Sequence, residues 1–310
     1  MTLIKLKNII SKLSGKKILI TGAGGMLGTA FKETLENYVP DCKILALTKE
    51  NLDVTDREQV LTYVSEKPNY ILHCAGKVNA DYCEEYQNES YEIIVKGTSN
   101  VIELAKLTQS KLLYPQSFLI YDGNILPINE DTKPKPLSVY GKHKLEAELY
   151  ALKDLSEVLV VRMAGFFGGR EKDKNFVGKI VSQIARLVQD GESSIEIGNR
   201  IWQPTYTNDL ALNCLLLLSE EKNGKYNMAS HGQASFYELA KEIVSLLGVK
   251  NKIKIIPVDS SKFSKKEKAK RPLLALIENK RLKKEGLDCQ RRWEDSLKEY
   301  LSHRFFKNLF

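Results

Sequence analysis

The chain has 310 residues, of which 43% are hydrophobic and 28% charged, a composition typical of a globular protein with one large domain or two smaller ones. Its formal net charge of +8 favours an anionic partner, such as a phosphorylated small molecule, nucleic acid or an anionic membrane surface, without choosing among them. Five cysteines without a CxxC pair disfavour a disulfide framework, and four scattered histidines complete no zinc-ligand spacing, so we predict no metal site. No apolar run approaches the ~20 residues of a membrane span.

The first thirteen residues form a short basic amphipathic segment. Its apolar side chains fall on one helical stripe, with lysines off it, at Leu3, Leu6, Ile10 and Leu13. We predict an N-terminal extension over residues 1–15 that forms a docked or frayed helix; membrane-surface attachment or a transit signal is the alternative. The cysteine usage indicates a reducing compartment, and we predict a cytoplasmic protein.

A glycine-rich turn follows the first predicted strand, Lys17–Thr21. Three glycines in a GxxGxxG spacing lead from this strand into helical residues. Glycines there permit a sharp turn, let a pyrophosphate approach backbone N–H groups, and allow tight packing of helix on strand. The pattern predicts dinucleotide binding by this turn, at Gly22, Gly25, Met26, Leu27 and Gly28.

The second predicted strand, Cys42–Leu47, ends beside the residues expected to select the cofactor. A NAD-selective site usually has an acid here, about 20 residues beyond the glycines, that binds the ribose 2′-hydroxyl. This chain has Thr48 and Lys49 instead, and the lysine could pair with a 2′-phosphate. We therefore predict NADPH, with NADH still possible because Glu50 follows.

Strands and helices then alternate. Further strands are predicted at Tyr70–Gly76, Lys111–Ser117 and Val158–Arg162, and a long helix at about 84–107. The alternation predicts an α/β fold with a doubly wound parallel sheet of the Rossmann type and a ligand crevice at the carboxyl ends of its strands. From Phe176 onward the strands shorten and the loops lengthen, so we predict an NAD(P)-binding domain over 16–165 and a smaller, mainly substrate-binding lobe over 166–310, with some segments returning to the first domain. His73 is predicted to be a core histidine.

Tyr140 and Lys144 are four residues apart and share one face of a predicted helix. An ammonium beside a phenol favours proton exchange near neutral pH by a tyrosine whose free pKa is about 10. The same spacing recurs twice elsewhere in the chain, so the pair alone does not distinguish a catalytic site from a solvated helix face. Position singles it out, because it follows the glycine turn and Ser117, which falls at a predicted strand end.

Together these motifs resemble the extended short-chain dehydrogenases/reductases, and more narrowly the dTDP-4-dehydrorhamnose reductase group of nucleotide-sugar reductases. The resemblance runs from about Lys17 to Leu301. It includes the segments Leu52–Asp56, Tyr121–Gly123, Tyr140–Glu146, Asn175–Val177, Gln203–Leu210 and Arg271–Pro272. It implies that Asp53 and Val54 border the adenine of the cofactor, and that Ala75 and Gly76 border its nicotinamide half.

The activity implied by the resemblance is NADPH-dependent reduction of a nucleotide-activated keto sugar of the 4-keto-6-deoxyhexose type. Tyr140 would donate a proton to the developing alkoxide and Ser117 would hydrogen-bond the same oxygen. Lys144 would lower the tyrosine pKa and hold the nicotinamide ribose. A homodimer through the helices near 84–107 and 140–152 is common in such enzymes and is expected here.

The resemblance also implies substrate-facing positions, at Val78, Phe118, Leu119, Asn175 and Arg271. The family usually has an acid and a tyrosine where this chain has Phe118 and Leu119, a threonine at the place of Val78, and a tryptophan at the place of Gly165. A site without such polar groups should discriminate poorly among sugar hydroxyls, which leaves the identity of the sugar open.

Two other functions stay open on the sequence. The altered substrate face and basic tail also suit a non-catalytic, NADP-binding regulatory subunit, as in the related β subunits of methionine adenosyltransferase. A nucleotide-sugar epimerase or dehydratase is the other, although Phe118 disfavours a dehydratase, which usually carries an acid there. Residues 260–271 hold five lysines and an arginine and are predicted to form a mobile basic loop. Nucleic-acid binding is disfavoured because the basic residues lack interleaved aromatics.

Overall fold

A computed structural model describes residues 3–264 and 267–310; Met1 and Thr2 of the predicted N-terminal segment, and Lys265 and Lys266 of the predicted basic loop, lie outside these ranges. The strands of the described residues are β1 (Lys17–Thr21), β2 (Lys43–Leu47), β3 (Tyr70–His73), β4 (Lys111–Ser117), β5 (Val158–Met163), β6 (Phe166–Phe167), β7 (Ser194–Gly198), β8 (Ile201–Trp202), β9 (Thr205–Tyr206), β10 (Gly224–Met228), β11 (Ala234–Ser235) and β12 (Lys254–Val258). The α-helices of the same ranges are α1 (Leu3–Ile10), α2 (Met26–Tyr38), α3 (Arg57–Leu61), α4 (Ala80–Glu85), α5 (Gln87–Tyr91), α6 (Gly97–Thr108), α7 (Val139–Asp154), α8 (Phe176–Gln189), α9 (Thr207–Ser219), α10 (Phe236–Leu246), α11 (Ser261–Ser264), α12 (Lys280–Lys284), α13 (Trp293–Leu301) and α14 (Arg304–Lys307).

The central sheet is parallel throughout. Within the described ranges it has six strands in the order β10-β5-β4-β3-β1-β2. β3 and β5 are buried at every residue, as expected for strands covered by helices on both faces of a sheet. The chain order reverses between β1 and β3, so the crevice at their carboxyl ends is the switch point at which such folds bind ligands. The predicted doubly wound α/β sheet is confirmed.

Two hydrophobic cores cover the two faces of the sheet. One contains α2 and α9, and it also buries Leu6 and Ile10 of α1 together with Leu13, so the N-terminal helix is docked. The other contains side chains of α3, α6 and α7, including Tyr140. The helix that carries the predicted catalytic pair therefore packs on the opposite face from the helix that follows the glycine turn.

A third core joins elements from the C-terminal half. It contains side chains of α8, α10 and α13 together with the pair of strands β7 and β12. Two other elements of the C-terminal half are part of the central sheet and its helical cover. β10 pairs with β5 in that sheet, and α9 packs on α2. In the described part of the chain, no helix has the length and apolar character that crossing a membrane requires.

The single helix predicted over about 84–107 is wrong. Tyr86 has φ −118° and ψ 62°, which is not helical, and it ends α4. Residues Glu92–Lys96 then form a π-helical turn between α5 and α6. Apolar spacing identifies the buried face of such a segment, but a break of one or two residues leaves that face buried and so gives no signal in the spacing.

Candidate active site

The first turn of α7 is capped from two directions. Ser138 Oγ accepts a hydrogen bond from the N–H of Gly141 at 3.1 Å, and Glu84 of α4 accepts one from the N–H of Val139 at 2.9 Å. Both oxygens satisfy N–H groups that a helix end leaves unpaired, and the carboxylate is also favourable at the positive end of the helix dipole. Tyr140, the second residue of the helix, is thereby held in place.

Gly141 lets α7 approach the residues after β4. A Cβ at this position would lie 2.3 Å from the carbonyl oxygen of Leu119. Phe118–Ile120 form a 3₁₀ turn directly after Ser117, whose Oγ accepts a hydrogen bond from the N–H of Leu119 at 3.2 Å. The close packing of this turn on α7 brings the serine hydroxyl to the catalytic face of the helix.

Ser117 and Tyr140 meet at the carboxyl end of β4. Tyr140 is buried, and burial raises the pKa of its hydroxyl well above the usual value, while a hydrogen bond with Ser117 opposes that rise. The resemblance implies that Lys144 lowers this pKa, and burial is the largest influence on it in the protein without cofactor. The phenol is therefore protonated at neutral pH, which is the state that a proton donor needs.

Lys144 lies one turn beyond Tyr140, and its ammonium faces β4. Nζ donates to the carbonyl oxygen of Pro115 at 2.7 Å and lies 3.9 Å from the ring centroid of Tyr114. Burial lowers the pKa of Lys144 to about 7, and the negative charge of Glu148 opposes this fall. Lys144 can therefore gain or lose a proton near neutral pH.

A buried ion pair between Glu148 and Arg162 lies behind these residues. Arg162 Nε donates to Glu148 Oε2 at 3.3 Å, and a second, shorter contact joins Nη2 to Oε1. Gln116 Nε2 donates to Glu148 Oε2 at 2.8 Å and to the carbonyl oxygen of Lys144 at 2.9 Å. Gln116 Oε1 accepts the N–H of Ser117 at 2.8 Å. One network thus connects the backbones of the serine and the lysine.

Sequence reasoning missed this network, although a signal was present. Arg162 is a charged residue inside the apolar strand β5, and Glu148 follows Lys144 by four residues on the same helix. A charge at the centre of a buried strand needs a partner of opposite charge. The sequence did not indicate which acid supplies it.

His73 is a core histidine, as predicted. Its Nδ1 lies 2.8 Å from Thr21 Oγ1 and its Nε2 lies 3.1 Å from Thr98 Oγ1. Burial lowers the pKa of the imidazole to about 3, so the ring is neutral. Thr21 Oγ1 also accepts the N–H of Ala75 at 3.2 Å. The histidine and threonine together fix the backbone that leads into Ala75 and Gly76 at the switch point.

The glycine turn leaves no room for a side chain at Gly22 or Gly28. Gly22 has φ +63°, and a Cβ there would lie 2.6 Å from the backbone nitrogen of Ala75. A Cβ on Gly28 would lie 2.5 Å from the carbonyl oxygen of Gly22. α2 begins at Met26, and its N-cap residue, Gly25, has no side chain that could accept hydrogen bonds from the first N–H groups of the helix. Those N–H groups can therefore bind a phosphate. These residues fit a dinucleotide; Leu27 is buried beneath the turn.

The residues after β2 carry a cation at the expected place. Lys49 is exposed. A hydrogen bond with Thr48 is the largest cause of the lowered pKa of Glu50, and the positive charge of Lys49 contributes to lowering the pKa values of both Glu50 and Asp53. Thr48 Oγ1 donates to Asn51 at 2.9 Å. Asp53 Oδ1 accepts hydrogen bonds from the N–H and hydroxyl of Thr55, which are the main causes of its lowered pKa. Val54 is buried against α6, where a Cβ on Gly97 would lie 2.8 Å from it.

The three altered substrate positions have different surroundings. Phe118 is partly buried, and its ring lies 3.7 Å from the Cβ position of Gly165. Leu119 packs on the core beneath α7. Val78 is 72% exposed on the loop after β3. Of the three, Phe118 is the one placed directly beside the end of β5, next to Ser117.

The other two predicted substrate residues have partners within the protein. Asn175 Nδ2 donates to the carbonyl oxygen of Phe166 at 2.7 Å and lies 4.0 Å from Met26 Sδ, so it lies at the start of α2. Arg271 forms two hydrogen bonds with Asp81 of α4, at 2.8 and 3.1 Å. The backbone next to Arg271 is also held by Asp81, which accepts the N–H of Ala269 at 2.8 Å. No group of three or more metal-binding side chains occurs in residues 3–264 and 267–310.

Residues 16–305 match the family described as RmlD substrate binding domain. The chain is 29% identical over 285 residues to the dTDP-4-keto-6-deoxy-D-glucose reductase of Streptomyces niveus, covering 90% of this chain and 94% of that protein. It is 31% identical over 241 residues to methionine adenosyltransferase 2 subunit beta of Xenopus tropicalis. That match covers 73% of this chain and 71% of that protein. The structure of dTDP-4-dehydrorhamnose reductase from Bacillus anthracis strain Ames in complex with NADP is similar, with a TM-score of 0.82, 28% identity, and coverage of 93% of this chain and 99% of that one. The chain therefore belongs to the RmlD substrate-binding domain family of extended short-chain dehydrogenases/reductases, as its motifs indicated.

Proposed function

We propose that the protein is an NADPH-dependent oxidoreductase that reduces the keto group of a nucleotide-activated sugar of the 4-keto-6-deoxyhexose type. The observation that carries the proposal is the meeting of Ser117 with a buried, protonated Tyr140 at the carboxyl edge of the sheet that bears the glycine turn. The reductase names of the relatives and the NADP of the similar structure support it.

The glycine turn and the residues after β2 and β3 would hold the nicotinamide cofactor, which would supply a hydride to the carbonyl carbon. Tyr140 donates its proton to the carbonyl oxygen as negative charge develops there, and the Ser117 hydroxyl hydrogen-bonds the same oxygen. The tyrosine is left as a phenolate, which the positive charge of Lys144 stabilises. The product is the alcohol, and a proton from solvent restores the tyrosine.

The test is reduction of a panel of nucleotide-activated keto sugars, followed as loss of NADPH absorbance. Tyr140→Phe should abolish turnover while NADPH still binds, as measured by quenching of tryptophan fluorescence. Tyr237→Phe is the matched control, because Lys241 lies over the ring of Tyr237 at 5.4 Å and repeats the spacing outside the site. Turnover by Tyr140→Phe at the wild-type rate would refute the assigned role.

A second candidate is a non-catalytic, NADP-binding regulatory subunit. The similarity to a methionine adenosyltransferase β subunit supports it, as do the apolar residues at the substrate face. A stoichiometric protein partner, together with no NADPH consumption on any keto sugar, would favour this function. An epimerase or dehydratase is a weaker candidate, because Phe118 provides no acid beside Ser117.

We also propose that residues 166–310 serve mainly as the substrate lobe and residues 16–165 as the cofactor domain, in a cytoplasmic protein. A homodimer through α6 and α7 is proposed because the outer faces of these helices expose Leu107, Leu149 and Tyr150. Sedimentation analysis checks this, and Leu149→Glu should shift a dimer toward monomer.

A further inference from the structure

The indole ring of Trp202 occupies the space in front of Gly165. A Cβ on Gly165 would lie 2.6 Å from Cε3 and 2.8 Å from Cζ3 of that ring. Gly165 follows β5 by two residues, and the last residue of β5, Met163, is in register with Ser117. The ring of Trp202 thus lies at the carboxyl edge of the sheet, in front of the strand that neighbours the catalytic serine. A large side chain at position 165 and the indole at 202 exclude each other.

Two phenylalanines hold the indole in one orientation. The ring of Trp202 meets Phe176 and Phe236 edge to face, with centroids 6.4 and 5.5 Å away and interplanar angles of 76° and 66°. Phe176 and Phe236 stack on each other at 4.2 Å. They are the first residues of α8 and α10, so two helices fix the ring.

The position of this ring is not explained by stability alone. Trp202 Nε1 is buried and has no hydrogen-bond partner among the described residues, although the residue as a whole is only partly buried. An unpaired buried donor is destabilising, so packing alone does not account for a tryptophan at this position. The exposed part of the ring can contact a bound ligand, because the indole lies in front of Gly165 at the carboxyl end of β5.

We propose that Trp202 is a specificity-determining residue whose indole contacts the apolar C–H face of the bound sugar ring, with Phe118 beside it. The proposal rests on the nucleotide-sugar reductase function. The atoms nearest to the Cβ position of Gly165 belong to the rings of Trp202 and Phe118, so the contact selects by shape and apolar area. Selection of this kind changes kcat/KM by about 10- to 200-fold per contact.

Fluorescence gives the first test, because the chain has two tryptophans. Trp293→Phe leaves Trp202 as the single tryptophan, and Trp293 lies in the core of the C-terminal half. This variant is titrated with a nucleotide sugar that the wild type reduces, and in parallel with the matching nucleoside diphosphate. The emission should change more with the sugar present; equal changes would overturn the proposal. Wild-type turnover, measured separately, shows whether the nucleotide-sugar function itself holds.

An exchange of the two residues gives the second test. Trp202→Gly should raise the KM for the sugar about tenfold or more and leave the affinity for NADPH unchanged. Gly165→Trp alone should lose activity, because its ring would occupy the space of the indole. The double variant Gly165→Trp with Trp202→Gly should recover most of the KM. An unchanged KM in Trp202→Gly, or a double variant no better than Gly165→Trp, would overturn the proposal.

Discussion

Removal of the charge of Glu148 should affect both the stability of the protein and the pH dependence of its activity. Glu148 and Arg162 are 0% and 3% exposed at their side chains. Glu148→Gln keeps the size of the side chain but leaves the guanidinium of Arg162 buried without an opposite charge. Breaking one side of such a pair costs about 3–5 kcal/mol in the free energy of unfolding. This is a large share of the ~5–15 kcal/mol by which proteins of this kind are stable.

The same substitution should shift the ionisation of Lys144. Burial lowers the pKa of this lysine to about 7, and Glu148 opposes that fall together with Cys74. Removing the negative charge of Glu148 lowers the pKa further, since the charged form of the lysine loses support. Tyr114 and His73 also surround the ammonium, but both are neutral at pH 7. The alkaline limb of the kcat profile should therefore move to lower pH.

Denaturant unfolding and a pH–rate profile measure the two effects. Glu146→Gln is the matched control, because Glu146 lies on the same helix, is partly exposed, and accepts hydrogen bonds from Tyr91 and Tyr150. Replacing both Glu148 and Arg162 by methionine should cost less than Glu148→Gln alone, because no buried charge is left unpaired. The reasoning is refuted if Glu148→Gln is as stable as the control, or if its pH profile coincides with that of the wild type.

Three further predictions concern the glycine turn, Lys49 after β2, and a buried acid. Gly28→Ala should weaken NADPH binding at least about tenfold, because its Cβ would lie 2.5 Å from the Gly22 carbonyl, whereas Gly24→Ala, with only a 3.6 Å contact, should bind normally in a cofactor titration. Lys49→Glu should reduce the preference for NADPH over NADH by about fivefold or more, and an unchanged ratio of kcat/KM values would contradict this. Burial raises the pKa of Asp173 to about 6, so its contribution to stability is present below its unfolded value and is lost as the pH rises through about 6. The difference in unfolding free energy between wild type and Asp173→Asn should therefore fall from about pH 4 to pH 7, and a constant difference would refute it.

The sequence by itself determined the features that depend only on residues close together along the chain. The glycine spacing after β1, the placement of Ser117 at a strand end, and the separation of Tyr140 from Lys144 are all local patterns, and each lies where its pattern indicated. The alternation of strands with helices was enough for a parallel doubly wound sheet, because parallel strands need crossover connections.

The tertiary structure alone decided the features that join residues far apart in the chain. The pairing of Glu148 with Arg162, of Arg271 with Asp81, and the position of Trp202 over Gly165 are contacts between separate elements. The dominance of burial in setting the pKa of Tyr140 has the same origin, since burial depends on everything packed around a group. Spacing along a helix brings two side chains to one face, but only the packing of the other elements decides what each side chain meets there.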